Sequence, residues 1–173
     1  MTDDLNPTDD NAAEILEFWE AARHRAGVVR TSIVTGLGVS GAMVPPTWSF
    51  GDNPELADAL LDLVLSGRKT GTSTALVEFE QGDEPLPVKG DLSIITDSAG
   101  HPRALLRTTE VQTMAFDQVS AEFAAAEGED DLSLESWRTE HEKYWRRVLG
   151  TFDTDMPVVT ERFELLYPRE SDR

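Results

Sequence analysis

The chain has 173 residues, a length that suits one domain with a substantial hydrophobic core. It contains no cysteine, which excludes disulfides, disulfide-linked partners, thiolate catalysis and cysteine metal sites, and its three histidines are too scattered to indicate a metal centre. The formal net charge of −18 argues against a general polyanion binder.

Two acidic segments carry most of this charge. Residues 1–20 and residues 117–136 each contain seven acidic residues and no lysine or arginine, so the rest of the chain has a net charge of only −4 against −18 for the whole. Phosphate affinity depends on Lys and Arg, so RNA binding would require local basic patches. A small neutral ligand fits this charge more easily.

The acidic and polar residues 1–11 predict a disordered tail without a secretory signal. Because no apolar run is long enough to span a bilayer, we expect a cytoplasmic protein without membrane contact. Residues 12–47 predict a leading helix, Ala12 to Arg25, and then an irregular segment rich in Gly and Pro. The glycines of residues 36–41 match a dinucleotide fingerprint, but Pro45 and Pro46 would stop the helix that such a site needs.

A second helix precedes the most informative stretch of the chain. Apolar residues from Leu56 to Leu65 recur at helical spacing, Gly67 provides a stop signal, and Ser73–Phe79 is typical of a strand. Lys69 therefore lies on a connection between two rigid elements, with Thr72 three residues further on. Such connections carry chemistry more often than element interiors do, and the alternative is a solvated lysine in a turn.

The remaining pattern predicts three more strands and two helices. The strands are Asp91–Thr96, Arg103–Val111 and Val158–Leu166, and the helices contain Phe116 to Ala124 and Leu134 to Val148. We expect all four strands to share one sheet or barrel, because each is too short to be stable alone. The order of these helices and strands along the chain predicts an α+β fold whose sheet or small barrel is mostly antiparallel.

An acidic loop lies between the last two helices. Residues 127–131 contain four carboxylates, but their spacing is not that of a calcium-binding loop, so we predict a solvated loop and no metal site. Glu127 is a sharper candidate, because a carboxylate that points inward with a raised pKa would serve as a general acid or base.

The last helix places polar and aromatic groups together. Trp137, His141 and Tyr144 share one helix face, and Arg138 lies beside them. These side chains could stack on a base or bind a phosphate. The alternative is that Trp137 and Tyr144 are ordinary core residues.

These motifs together resemble the bacterial ASCH-domain proteins. The resemblance runs from about residue 48 to residue 167 and implies an ASCH domain over 48–168, with a PUA-like β-barrel flanked by helices. It is carried by an ordered set of motifs: Phe50-Gly51-Asp52, Leu60-Leu61, Gly67 to Thr72, Phe116 to Val119, Ala126 to Glu129, Ser133 to Arg138, and His141.

The resemblance implies a protein that acts on RNA or nucleosides without a cofactor. In a small branch that hydrolyses the amide of N4-acetylcytidine, the catalytic Lys, Thr and Glu look like Lys69, Thr72 and Glu127 here. In that role Thr72 would be the nucleophile or would position water, Lys69 would lower the proton affinity of the Thr72 hydroxyl or pair with the oxyanion, and Glu127 would carry the proton. Other members of similar size are ribonucleases, and a non-catalytic RNA-binding module is the third alternative. The expected substrate-binding residues are Trp137, Arg138, His141 and Tyr144.

Overall fold

The computed structural model describes residues 7–28 and 43–169 and has a mixed α+β fold. Its five strands form one sheet in the order β1-β3-β4-β5-β2, in which β1 is parallel to β3 and β2 is antiparallel to β5. A short 3-10 helix covers Phe116–Gln118. The strands are β1 Thr47–Trp48, β2 Gly71–Ala75, β3 Leu92–Thr96, β4 Pro102–Ala115 and β5 Pro157–Tyr167. The helices are α1 Pro7–Arg25, α2 Pro54–Leu65, α3 Leu76–Gly82, α4 Ala121–Ala126 and α5 Leu134–Leu149.

The prediction that the four strands share one sheet is confirmed, whereas the predicted barrel is wrong. Within the described ranges the sheet is open, with β1 at one end and β2 at the other. Closing a sheet requires its first and last strands to pair. Here β1, at one end, pairs with β3, and β2, at the other end, pairs with β5, so the two end strands are not paired with each other.

The predicted strand Ser73–Phe79 is correct only in its first half. β2 ends at Ala75, and the next residues form α3. The carboxylate of Glu78 explains the change, because it accepts a hydrogen bond of 3.1 Å from the main-chain N–H of Ala75 and another of 2.7 Å from the indole of Trp145. An acid that bonds back to the residue before a helix stabilises its first turn.

Two helix predictions also need correction. α1 begins at Pro7, so residues 7–11 are helical and not part of a tail, in keeping with the preference for proline at a helix start. The predicted helix from Phe116 to Ala124 is interrupted, because the Ser120 hydroxyl accepts the N–H of Phe123 and begins α4 as a separate helix.

The glycine motif at 36–41 and residues 1–6 lie outside the described residues. No helix within 7–28 or 43–169 is long and apolar enough to cross a membrane.

The chain divides into two compact units, each with its own core. Of the described residues, the first unit contains 7–28, 43–61, 92–106 and 165–169, and its core is built on Trp19, Ala22, Ile94, Leu105 and Leu166. The second unit contains residues 62–91 and 107–164, and aromatic side chains of α4, α5 and the 3-10 helix dominate its core. Every candidate site residue lies in the second unit.

Candidate functional site

The site forms where the loop after α4 meets the corner after α2. The main-chain N–H of Thr70 donates to the carbonyl of Ala126 at 2.7 Å, which ties the two segments together. Gly128 has a φ of +74°, and a Cβ there would lie 2.4 Å from the carbonyl oxygen of Arg68. Only glycine allows so close an approach, and it brings Lys69 and Glu127 together across the second unit.

Lys69 is buried and paired with two carboxylates. Its side chain is 1% exposed, and its Nζ lies 2.6 Å from Oε1 of Glu129 and 3.2 Å from Oε2 of Glu127. The ammonium also donates to the main-chain carbonyl of Glu127 at 3.3 Å. A buried ammonium requires such partners, because desolvation penalises its charge. The interpretation as a solvated turn lysine is therefore wrong.

Glu127 is the most enclosed carboxylate of the site, with 2% of its side chain exposed. Its Oε1 accepts a 2.7 Å hydrogen bond from the indole of Trp137 and another from the hydroxyl of Ser73, while Oε2 faces Lys69. Burial alone would raise its pKa, but the charge of the Lys69 ammonium, the neighbouring imidazole of His141 and these two hydrogen bonds outweigh burial and lower the pKa below its usual value. Glu127 therefore points inward as expected, but the raised pKa that would make it a general acid or base is not found.

This lowered pKa predicts an acid-sensitive contribution to stability. A carboxylate whose pKa is lower in the folded state stabilises the protein above its unfolded pKa, and this contribution is lost as the pH falls through the folded pKa. We expect the free energy of unfolding to fall on the acidic side of the ordinary glutamate pKa, and Glu127→Gln to flatten this fall. Urea unfolding at pH values from about 3 to 7 measures it. Identical pH profiles for the two proteins would contradict the prediction.

Ser73 and His141 complete the polar cluster. The Ser73 Oγ lies 3.0 Å from His141 Nε2, and His141 Nδ1 lies 2.9 Å from the main-chain carbonyl of Trp137. The imidazole stacks on the Trp137 ring at a centroid distance of 4.3 Å. Ser73 was not among the predicted site residues. The alternation of side chains along β2 is the signal that could have found it, because Ser73 shares a face with Gly71 and Ala75, which pack against the core of the unit.

Glu129 is the second site residue that the sequence does not predict. Its pattern predicts a solvated acidic loop, but its carboxylate is 2.6 Å from Lys69 Nζ and 30% exposed. It is thus the more accessible of the two carboxylates paired with Lys69. Within the described part of the chain, no group of three or more His, Asp or Glu side chains could hold a metal ion.

Of the predicted site residues, Lys69, Glu127, Trp137 and His141 come together in this cluster. Trp137 is also part of the core, because it is 5% exposed and stacks on Phe116. The other three residues make different contacts.

Thr72 is adjacent to Ser73 in β2 and therefore faces the opposite side of the sheet, where it pairs with Glu161 of β5. Arg138 is exposed, and its guanidinium donates to the carbonyl of Asp117 at 2.9 Å. The Tyr144 hydroxyl is 3.4 Å from Glu78. Both Arg138 and Tyr144 are thus engaged with groups other than the Lys69 cluster.

Comparisons with known proteins agree with this architecture. The model of the ASCH domain family matches residues 46–167. The crystal structure of protein EF3133 from Enterococcus faecalis V583 superimposes with a TM-score of 0.74 at 31% identity, covering 90% of this chain and 91% of that one. An ASCH domain from Lactobacillus crispatus JV V101 gives a TM-score of 0.74 at 27% identity, covering 90% of this chain and 96% of that one. None of the curated proteins matches. The chain belongs to the ASCH-domain family.

Proposed function

We propose that this protein is a hydrolase that acts on RNA-derived nucleosides and cleaves the amide of an acylated cytidine such as N4-acetylcytidine. The observation that carries the proposal is the buried Lys69 ammonium held 2.6 Å from the partly exposed Glu129 carboxylate. A positioned carboxylate beside a fixed positive charge is a usual way to move a proton and to balance charge in amide hydrolysis.

The two glutamates take different roles in this proposal. Glu127 is enclosed and its carboxylate accepts bonds from Lys69, Ser73 and Trp137, so it positions the cluster. Glu129 is 30% exposed and is the carboxylate that can reach a substrate. We therefore assign the proton transfer, first expected of Glu127, to Glu129. Lys69 positions Glu129 and balances negative charge that develops at the substrate.

The charges around the site favour a neutral substrate. Lys69 is 1% exposed and is paired with two carboxylates, and the Arg138 guanidinium bonds to the main-chain carbonyl of Asp117 outside this cluster. The net charge of −18 opposes long polyanions. His141, which is 16% exposed and stacked on Trp137, provides an aromatic ring beside which a base can lie.

The nearly complete burial of Lys69 favours a second candidate, a non-catalytic module that binds RNA or nucleosides and uses the ion pairs only for stability. The two functions differ in their response to salt. Phosphate-led binding weakens steeply as salt increases, whereas nucleoside turnover barely responds.

Turnover of acylated cytidines, measured beside cleavage and binding of a labelled single-stranded RNA, tests the proposal. We expect the wild-type protein to release free acid from N4-acetylcytidine, and Glu129→Gln to lower kcat by about 10²- to 10⁴-fold, the usual contribution of a general acid or base. Glu135→Gln makes the same charge change at an exposed position of α5 and serves as the matched control. Full activity of Glu129→Gln would remove Glu129 from the mechanism, and RNA binding without turnover would favour the binding module.

A further inference from the structure

We infer that Ser73 and His141 form a nucleophile and base pair, and that Ser73, not Thr72, accepts the acyl group in the reaction proposed above. This inference rests on the proposed function for its substrate, but its geometry is independent of it. A nucleophile and its base must lie within hydrogen-bonding distance, and a third group must orient the base. The 3.0 Å distance from Ser73 Oγ to His141 Nε2 meets the first requirement.

The third group is the main-chain carbonyl of Trp137. A carbonyl oxygen only accepts hydrogen bonds, so the nitrogen 2.9 Å away, His141 Nδ1, carries a proton. In the neutral imidazole Nε2 is then unprotonated and aimed at Ser73. The stacking on Trp137 holds the ring in this orientation. The imidazole thus has the tautomer and the direction that a general base requires.

The surroundings also accommodate the charge that the base acquires. The Ser73 hydroxyl has one proton and two neighbouring acceptors, His141 Nε2 and Glu127 Oε1. The hydroxyl donates this proton to Glu127 Oε1 and lies 3.0 Å from Nε2, so a rotation of the hydroxyl brings the proton to the base when Ser73 attacks. Once Nε2 is protonated, it donates to Ser73 Oγ, and the Glu127 carboxylate lies 3.6 Å from Nε2. An anion at that distance stabilises the imidazolium.

Thr72 has a different position. It precedes Ser73 in β2, so its side chain lies on the opposite face of the strand, across from Glu161. The Glu161 carboxylate accepts a hydrogen bond from Thr108 of β4. His141 therefore lies on the face of Ser73 and not on the face of Thr72.

The step balances as an acyl transfer. Ser73 Oγ forms a bond to the acyl carbon while its proton moves to His141 Nε2, and the carbon–nitrogen bond breaks as the cytosine amine leaves with that proton. Water then attacks the acyl ester and gives one proton to the Glu129 carboxylate, which returns it to the Ser73 oxygen as the ester bond breaks, so that the carboxylic acid and free Ser73 are restored. No oxidant, reductant or metal is required.

The first experiment compares Ser73→Ala with Thr74→Ala, which removes a hydroxyl one residue further along the same strand and on the other face. We expect Ser73→Ala to lose at least about 10³-fold in turnover of N4-acetylcytidine, as is usual when a nucleophile is removed, and Thr74→Ala to keep wild-type turnover. Mass spectrometry of rapidly quenched wild-type protein should find the acyl group on the peptide that contains Ser73. Turnover by folded Ser73→Ala at the wild-type rate would overturn the inference.

A second experiment needs neither the substrate nor the Ser73→Ala variant. Because the chain has no cysteine, Ser73→Cys introduces a single thiol, whose alkylation by iodoacetamide reports how strongly its environment forms the thiolate. We expect alkylation at neutral pH to be about tenfold faster than in Thr74→Cys, and the additional change His141→Gln to remove the difference. Equal rates in the three proteins would overturn the pairing.

The two assays together separate the pair from the proposed function. If the wild-type protein does not hydrolyse acylated cytidine but the His141-dependent alkylation is observed, the proposed function is wrong and the Ser73–His141 pair is supported. If turnover holds without that alkylation, the pair fails alone.

Discussion

Lys69→Met is expected to lower the free energy of unfolding by about 3–5 kcal/mol, the usual cost of removing one partner of a buried ion pair. The carboxylate of Glu127, 2% exposed, would lose its nearest ammonium and remain enclosed. Turnover should be lost as well, even when the variant is assayed under conditions where it is folded. Urea unfolding and the acylcytidine assay measure the two effects separately.

The double variant Lys69→Met/Glu127→Gln tests the reason for this loss. Replacing the carboxylate by an amide removes the uncompensated charge, so we expect the double variant to be more stable than Lys69→Met alone. Lys89→Met, at an exposed position, controls for the loss of a lysine in general. If Lys69→Met is as stable as Lys89→Met, then Lys69 is not part of a buried pair.

Gly128→Ala is the second substitution with a large expected effect. Its added Cβ would lie 2.4 Å from the carbonyl oxygen of Arg68 and 2.8 Å from the main-chain nitrogen of Lys69, and main-chain atoms cannot rotate away. The loop would have to move from the corner and take Glu127 and Glu129 with it. We expect a loss of about 4 kcal/mol or more in unfolding free energy, the range reached when strain and lost ion pairs combine.

The control for Gly128 is Gly67, in the corner on the other side of the contact. Gly67 has a φ of +77°, but no atom lies within 4 Å of a Cβ built there. Gly67→Ala therefore isolates the cost of the left-handed backbone, about 1–2 kcal/mol. Comparable losses in the two variants would mean that the loop does not approach the corner so closely.

The pattern of apolar residues predicted β3, β4, β5, α2 and α5, because each has a clear period and punctuating residues at its ends. It could not predict β1, because two residues are too few to show an alternation of apolar and polar side chains. This strand is defined only by its pairing with β3. It also placed residues 76–79 in a strand, although a distant partner decides otherwise. Glu78 caps α3 and also accepts the Trp145 indole, 67 residues away, and no local window contains that contact.

The site was predictable to a similar extent. Lys69 was found because glycines flank it and because its motif resembles that of a known family, and Glu127 because it ends a helix beside a glycine. Ser73 and Thr72 are neighbours in a strand, so their side chains lie on opposite faces of the sheet. Choosing the correct hydroxyl requires knowing which face each residue occupies, and a shift of one residue in the strand register reverses the answer. Glu129 was not predicted because charged loop residues are usually solvated. Its contact with Lys69 depends on the conformation of the folded loop.

The stack of Trp137 on His141 gives the site an optical signal of its own. The indole ring centroid lies 4.3 Å from that of the imidazole, and the indole donates its N–H to Glu127, so its emission depends on both neighbours. The emission of Trp137, isolated by replacing the other three tryptophans with phenylalanine, therefore reports the arrival of a ligand beside His141 without any added label.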